Sequence, residues 1–162
     1  ARHAKKNIKS KNIICVAPDV GGTERARALG KILGVELAIV DKRRPKPGQS
    51  KVMNVIGDVN GKTCIIVDDI IDSGGTIVNA AKALKDRGAK EVYVYITHGV
   101  LTGEAIDKIK KSVIKKLVIT DTIDNYEKIK KAKNIEVLPI STLMGEAIKR
   151  ISNSTSVSDL FK

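Results

Sequence analysis

Three groups of residues in this sequence have the types and spacing to do chemistry. The first is the acid pair Asp68-Asp69, followed after two apolar residues by Asp72-Ser73-Gly74-Gly75-Thr76. Adjacent carboxylates accept hydrogen bonds from hydroxyls, or hold a divalent cation through water, but repel a phosphate. The turn beside them has the opposite preference. Gly74 and Gly75 let the backbone approach a ligand closely, and the free N–H groups of a helix start suit a phosphate. A phosphate cradle one turn from a hydroxyl-reading acid pair describes a sugar phosphate. The second group is Asp19-Val20-Gly21-Gly22, another glycine turn before a helix and so a second anion site. Asp19 could take a metal ion, directly or through water, or simply cap the helix. The third is Asp41 to Lys51, with five cations, two prolines and a glycine among eleven residues. Such a segment cannot pack into a core, so an exposed, mobile loop is expected. A charge run is usually a solvated face; beside two phosphate cradles this one reads as a lid that closes over a polyphosphate.

These groups need elements to position them. Cys64 to Val67 is an unbroken apolar run, expected as a strand buried on both faces of a parallel sheet. Ile77, Ala80, Ala81 and Leu84 follow at helical spacing, so the phosphate turn lies between a strand end and a helix start. Open α/β sheets bind ligands at that edge. Asn12 to Ala17 is a first strand, and the helix after Gly22 has the apolar face Ala26, Leu29 and Leu33. Val35 to Val40 is a strand, and Val52 to Ile56 returns from the basic loop to complete a β-hairpin arm. Glu91 to Ile96, Leu117 to Thr120 and Ile135 to Leu138 are further strands. His98 falls at the ligand edge of the sheet, where contact with a ligand or a local hydrogen bond explains it equally well. The helix from Thr102 to Lys111 is expected to face inward with Ile106, Ile109 and Val113, and a basic helix spans about 124–131. The closing helix is expected to bury Met144, Ala147, Ile148 and Ile151, with Leu160-Phe161 docking behind it. Residues 1–11 are basic and show no apolar pattern, so they read as a frayed helix or a linker remnant with an exposed His3. Residues 12–162 form one domain. Alternating strands and helices make the fold α/β, with a mainly parallel sheet flanked by helices.

Composition narrows the function. Aromatic residues make up only 2% of the chain, too few for a base-stacking nucleic-acid module. The net charge of +12 is spread over many helices and serves equally to attract phosphorylated substrates, so no nucleic-acid partner is expected. Cys15 and Cys64 each sit inside an apolar strand and read as buried thiols of a reducing compartment. No apolar run is long enough to span a membrane and no signal peptide opens the chain, which makes the cytoplasm the expected location.

The central stretch, an apolar strand, Asp68-Asp69, two apolar residues and Asp72 to Thr76, resembles the ribose-5-phosphate-binding signature of the type I phosphoribosyltransferase fold. Pro18 to Ala28 and Asp41-Lys42-Arg43-Arg44-Pro45 resemble segments of one family, the ribose-phosphate diphosphokinases or phosphoribosyl-pyrophosphate synthetases. Val52 to Gly61, Thr97-His98-Gly99 and Ile148 to Asn153 fit it as well. The resemblance runs from about Asn12 to the last residue and covers the second of the family's two tandem domains. It implies diphosphoryl transfer from ATP to ribose 5-phosphate. Asp68, Asp69, Asp72, Ser73, Gly74, Gly75, Thr76 and Arg44 would hold ribose 5-phosphate. Asp19, Val20, Gly21 and Gly22 would form a pyrophosphate loop, with Asp19 a ligand of Mg2+. Lys42 and Arg44 would be the catalytic cations, and the assembly a homo-oligomer, hexameric in the family. Thr23-Glu24 departs from the small apolar residues usual there and adds a carboxylate beside the loop. Two other classes share the scaffold: a phosphoribosyltransferase using phosphoribosyl pyrophosphate, and a non-catalytic half-length subunit of the synthetase.

Overall fold

Buried runs of β-branched residues set the frame. The structure, a computed structural model, describes residues 1–43 and 52–161. In chain order the elements are α1 (Arg2–Asn7), β1 (Ile13–Ala17), α2 (Thr23–Leu33), β2 (Leu37–Arg43), β3 (Val52–Ile56), β4 (Thr63–Ile71) and α3 (Gly75–Asp86). They continue with β5 (Glu91–Gly99), α4 (Ala105–Lys111), β6 (Lys116–Thr120), α5 (Tyr126–Ile129), β7 (Ile135–Leu138), α6 (Ser141–Ser152) and the short helix η1 (Ser158–Phe161). The strands form one seven-stranded sheet in the order β3-β2-β1-β4-β5-β6-β7. Every pairing is parallel except that of β3 with β2, where Arg43 stands opposite Val52 and Ile39 opposite Ile56. The hairpin expected from the sequence is therefore present up to those residues. Arg44 and the tip of the arm lie outside the described residues.

The central strand shows why an apolar run is needed on both faces. Cys64 and Ile66 point into the main core with Ile77, Ala80, Ala81 and Leu84 of α3, all four of which are buried. Ile65, between them, points to the other face. There α2 supplies Leu29 and Leu33, and α1 supplies Ala4 and Ile8, against Tyr93 and Tyr95 of β5. This segment does have an apolar contact: Ala4 and the C-cap residue Ile8, four positions apart, pack on the sheet, a spacing short enough to pass for scatter among the lysines. His3 is not a lone exposed residue either, since its ring meets Tyr95 Oη at 3.0 Å and Glu136 Oε1 at 3.1 Å.

Two other helical faces differ from expectation. In the segment after α4 the buried residue is Ile114, while Val113 is 45% exposed. The helix ends at Lys111, so the helical spacing does not carry on to Val113. In α6, Met144, Ile148 and Ile151 are exposed, and the helix buries no residue. Periodicity establishes that a helix has an apolar face, not which surface receives it. Among the described residues nothing covers this one.

Candidate functional site

The chain leaves β1 and β4 in opposite directions: β1 leads through α2 to β2 on one side, and β4 through α3 to β5 on the other. β1 and β4 are hydrogen-bonded neighbours, with Val16 opposite Ile66. Their carboxyl ends therefore form a topological switch point, where the diverging connections leave a crevice. Both glycine turns open there. Asp19, Asp68 and Asp72 to Thr76 line a single cavity of about 230 Å³.

After β4, Gly74 adopts φ 77°, a left-handed conformation that glycine reaches without cost, and this turns the chain into α3. No side chain caps α3 and its first turn contains no acid, so its first N–H groups stay available for an anion. A Cβ placed on Gly75 would meet nothing within 4 Å, so the space in front of this turn is open. After β1, the backbone N–H of Gly22 donates to Asp19 Oδ1 at 2.9 Å, fixing the first loop. Val20 at its tip is exposed, and Glu24 lies in the first turn of α2. The acid makes this helix start a weaker anion site than that of α3.

The acid pair has a partner that the sequence reading missed. Arg25 Nη1 donates to Asp68 Oδ1 at 2.6 Å, and Arg25 Nη2 donates to Asp69 Oδ2 at 2.5 Å. Burial pushes the Asp68 carboxyl above the usual carboxylate range, a shift that the Asp69 backbone N–H and the Arg25 guanidinium oppose. A signal for Arg25 was present: a cation in the first turn of a helix opposes the helix dipole, and that placement calls for a nearby acid.

The structure brings Asp19, Asp68, Asp72, Ser73, Gly74, Gly75 and Thr76 together at one cavity and sets Asp69 beside them through Arg25. Val20 and Gly21 stand at the neighbouring loop. Lys42 falls within β2, opposite Met53, so its backbone belongs to the strand rather than to the loop beyond it. His98 is the penultimate residue of β5, but its Nδ1 meets Thr122 Oγ1 at 2.9 Å, and it does not line the cavity. Among the described residues no three His, Cys, Asp or Glu side chains cluster as a metal cage. Asp19, held by the Gly22 N–H, lines the cavity together with Asp68 and Asp72.

A seven-stranded, mostly parallel sheet with this cavity at its switch point is the type I phosphoribosyltransferase fold. Similarity to the purine phosphoribosyltransferase of Pyrococcus horikoshii agrees at the level of fold, with a TM-score of 0.51 over 84% of this chain and 80% of that one at 22% identity. Residues 42–162 match the family described as the phosphoribosyl synthetase-associated domain, and the chain belongs to that family. It is 59% identical to the ribose-phosphate pyrophosphokinase of Hyphomonas neptunium over 97% of this chain and 51% of that protein. It superposes on the crystal structure of phosphoribosylpyrophosphate synthetase from Mycobacterium smegmatis with a TM-score of 0.85, at 33% identity, covering 94% of this chain and 49% of the other. The chain thus spans about half the length of the curated relatives it matches. No helix among the described residues is long and apolar enough to cross a membrane.

Proposed function

We propose that this chain is the ribose-5-phosphate-binding half of an enzyme that transfers diphosphate from ATP to ribose 5-phosphate, giving phosphoribosyl pyrophosphate and AMP. The observation that carries the reading is the shared cavity: an uncapped, acid-free helix start and Asp68 line the same space, and Arg25 sets Asp69 at its edge. The helix start suits the 5-phosphate and the acids suit the ring hydroxyls. The matched relatives, named for the pyrophosphokinase activity, favour this reading over a phosphoribosyltransferase.

In the reaction the anomeric hydroxyl attacks the β-phosphorus of ATP, the bond from that phosphorus to the α–β bridging oxygen breaks, and AMP leaves. The protein's task is positioning and charge neutralisation. The turn from Asp72 to Thr76 holds the 5-phosphate, while Asp68 and Asp69 fix the ring. The loop from Asp19 to Gly22 faces the diphosphate being moved. Lys42 and Arg44, from the arm, meet the charge that develops on it. Mg2+ fits this site, because it is usually bound through only one or two protein carboxylates, and Asp19, anchored in its loop by the Gly22 N–H, would hold it. When bound, it supplies neutralisation of the polyphosphate charge.

Calorimetric titration of the chain with ribose 5-phosphate tests the reading. Binding is expected without ATP, and Gly75→Val is expected to weaken it sharply by obstructing the backbone approach. Unchanged affinity in that variant removes the phosphate assignment. The chain alone is expected to bind this sugar phosphate yet turn over poorly, and turnover at the rate of an intact enzyme contradicts the division of labour.

A further inference from the structure

Adjacent residues on a strand send their side chains to opposite faces, and two carboxylates side by side repel each other. Asp68 and Asp69 are adjacent on β4, so by themselves they do not make a joint receptor. Yet one guanidinium holds both, with Nη1 on Asp68 and Nη2 on Asp69. Arg25 therefore bridges the two acids. It comes from the first turn of α2, and its Nη1 lies 3.5 Å from where a Cβ on Gly22 would stand, so it runs close to the first glycine loop.

We propose that Arg25 is a positioning residue for sugar recognition: it builds the Asp68–Asp69 pair into a single acceptor for two neighbouring ring hydroxyls. This rests on the reading of the acid pair as the sugar-binding part of the site. The stoichiometry of lone pairs supports it. The arginine uses Oδ1 of Asp68 and Oδ2 of Asp69, and among the described residues no hydrogen bond uses the other oxygen of either carboxylate. Each acid therefore keeps one oxygen for a ligand hydroxyl while the guanidinium offsets one of the pair's two negative charges. The Asp68 side chain is only 16% exposed, so its share of this contact is shielded from solvent, whereas Asp69 is 57% exposed. An isolated ion pair on an open surface is worth little. A guanidinium spanning two acids at a cavity edge has a geometric task instead.

The experiment compares three probes by calorimetry on the 162-residue chain: ribose 5-phosphate, 2-deoxyribose 5-phosphate and inorganic phosphate. The parent is expected to prefer ribose 5-phosphate to its 2-deoxy analogue by about tenfold or more, the scale of a charge-assisted hydrogen bond. Arg25→Ala is expected to bring that preference close to one while leaving inorganic phosphate affinity within about twofold. Retained phosphate binding doubles as proof of folding. Arg25→Lys is expected to restore only part of the preference, since an ammonium cannot grip two carboxylates in a planar fork. A parent that discriminates, with an Arg25→Ala variant that discriminates equally, overturns the inference and leaves the sugar-phosphate reading standing. A parent with no preference removes the acid pair's sugar-binding role, and the inference falls with it. Should Arg25→Ala lose phosphate as well, Arg25→Gln provides the same comparison. Loss of phosphate binding in both variants makes Arg25 a structural residue and overturns the inference.

Discussion

Thr102 Oγ1 donates to Asp72 Oδ1 at 2.5 Å, tying the loop after β5 to the glycine turn after β4. The backbone reinforces the link, since Thr102 N–H reaches the Asp72 carbonyl oxygen at 3.3 Å and Val100 N–H the Ile71 carbonyl oxygen at 2.9 Å. Asp72 Oδ1 is thereby engaged within the protein, leaving backbone N–H groups of the turn to meet a phosphate. Thr102→Val is expected to cost no more than about 1 kcal/mol of stability, because the contact is exposed, and to weaken phosphate binding several-fold by loosening the turn. Phosphate titrations of parent and variant check this; equal affinities mean that the loop does not steady the cradle.

The two glycines of the cradle are expected to separate folding from binding. Gly74 sits at φ 77°, whereas a Cβ on it would meet neighbours only at 3.8 Å, so Gly74→Ala is penalised by backbone conformation rather than by crowding. A stability loss of about 1 kcal/mol is expected. Gly75 has no such φ and open space ahead of it, so Gly75→Val is expected to change stability by no more than about 1 kcal/mol while weakening phosphate binding by an order of magnitude or more. Thermal unfolding paired with phosphate titration reads both. Equal stability losses for the two variants contradict the distinction.

The basic arm is tested by kinetics in a full-length enzyme carrying this domain. A charge brought to the diphosphate acts mainly on the transition state. Lys42→Ala is therefore expected to lower turnover by orders of magnitude while leaving ribose-5-phosphate affinity nearly intact. Arg44→Ala is expected to do likewise with some loss of sugar-phosphate binding, since guanidinium can hold a phosphate with two bonds. Turnover within about threefold of the parent, well under 1 kcal/mol of barrier, means that the arm is a solvated loop.

Residues 1–8 are expected to stabilise the domain. Ile8 is only 5% exposed and packs with Ala4 against Ile65 of the central strand. Ile8→Ala is expected to cost about 2–4 kcal/mol in denaturant unfolding, as buried large-to-small changes do. A linker would give no change.

Where one element supplied both the pattern and the burial, the fold could be read from residues alone. The helix stripe of Ile77, Ala80, Ala81 and Leu84 and the strand run of Cys64 to Ile66 are buried as periodicity requires. Relationships between elements were less legible. Ala4 and Ile8 became a pattern only once the surface of Ile65 was there to receive them. The apolar stripe of α6 was visible, but what covers it is not encoded in its spacing. The same limit applies at the site. Asp68, Asp69 and the glycine turn are contiguous in sequence and so could be read together as a candidate group; Arg25, forty-three residues before Asp68, could not. His98 was placed at the correct sheet edge, yet its partner Thr122 comes from the next strand's end.

The two thiols give a pH dependence with a definite sign. Cys15 and Cys64 are free and fully buried in neighbouring strands, and burial pushes their pKa values up to about 11 and about 12. An unfolded thiol titrates near about 8.5. Between these values the unfolded chain has released a proton that the folded chain still holds, so the stability owed to the protonated thiols is full below about pH 8.5 and falls as pH rises. The slope is at most about 1.4 kcal/mol per pH unit for each thiol, continuing toward about 11 for Cys15 and about 12 for Cys64. Replacing both with Ala removes this component at the cost of two small cavities, leaving the lysine titrations common to both proteins. Denaturant unfolding at pH 7.5 and pH 10 is therefore expected to show the parent losing more stability than the double variant over the same interval. Equal losses mean that the thiolates are tolerated inside the fold, and faster alkylation of the folded parent at the higher pH is then the expected companion result.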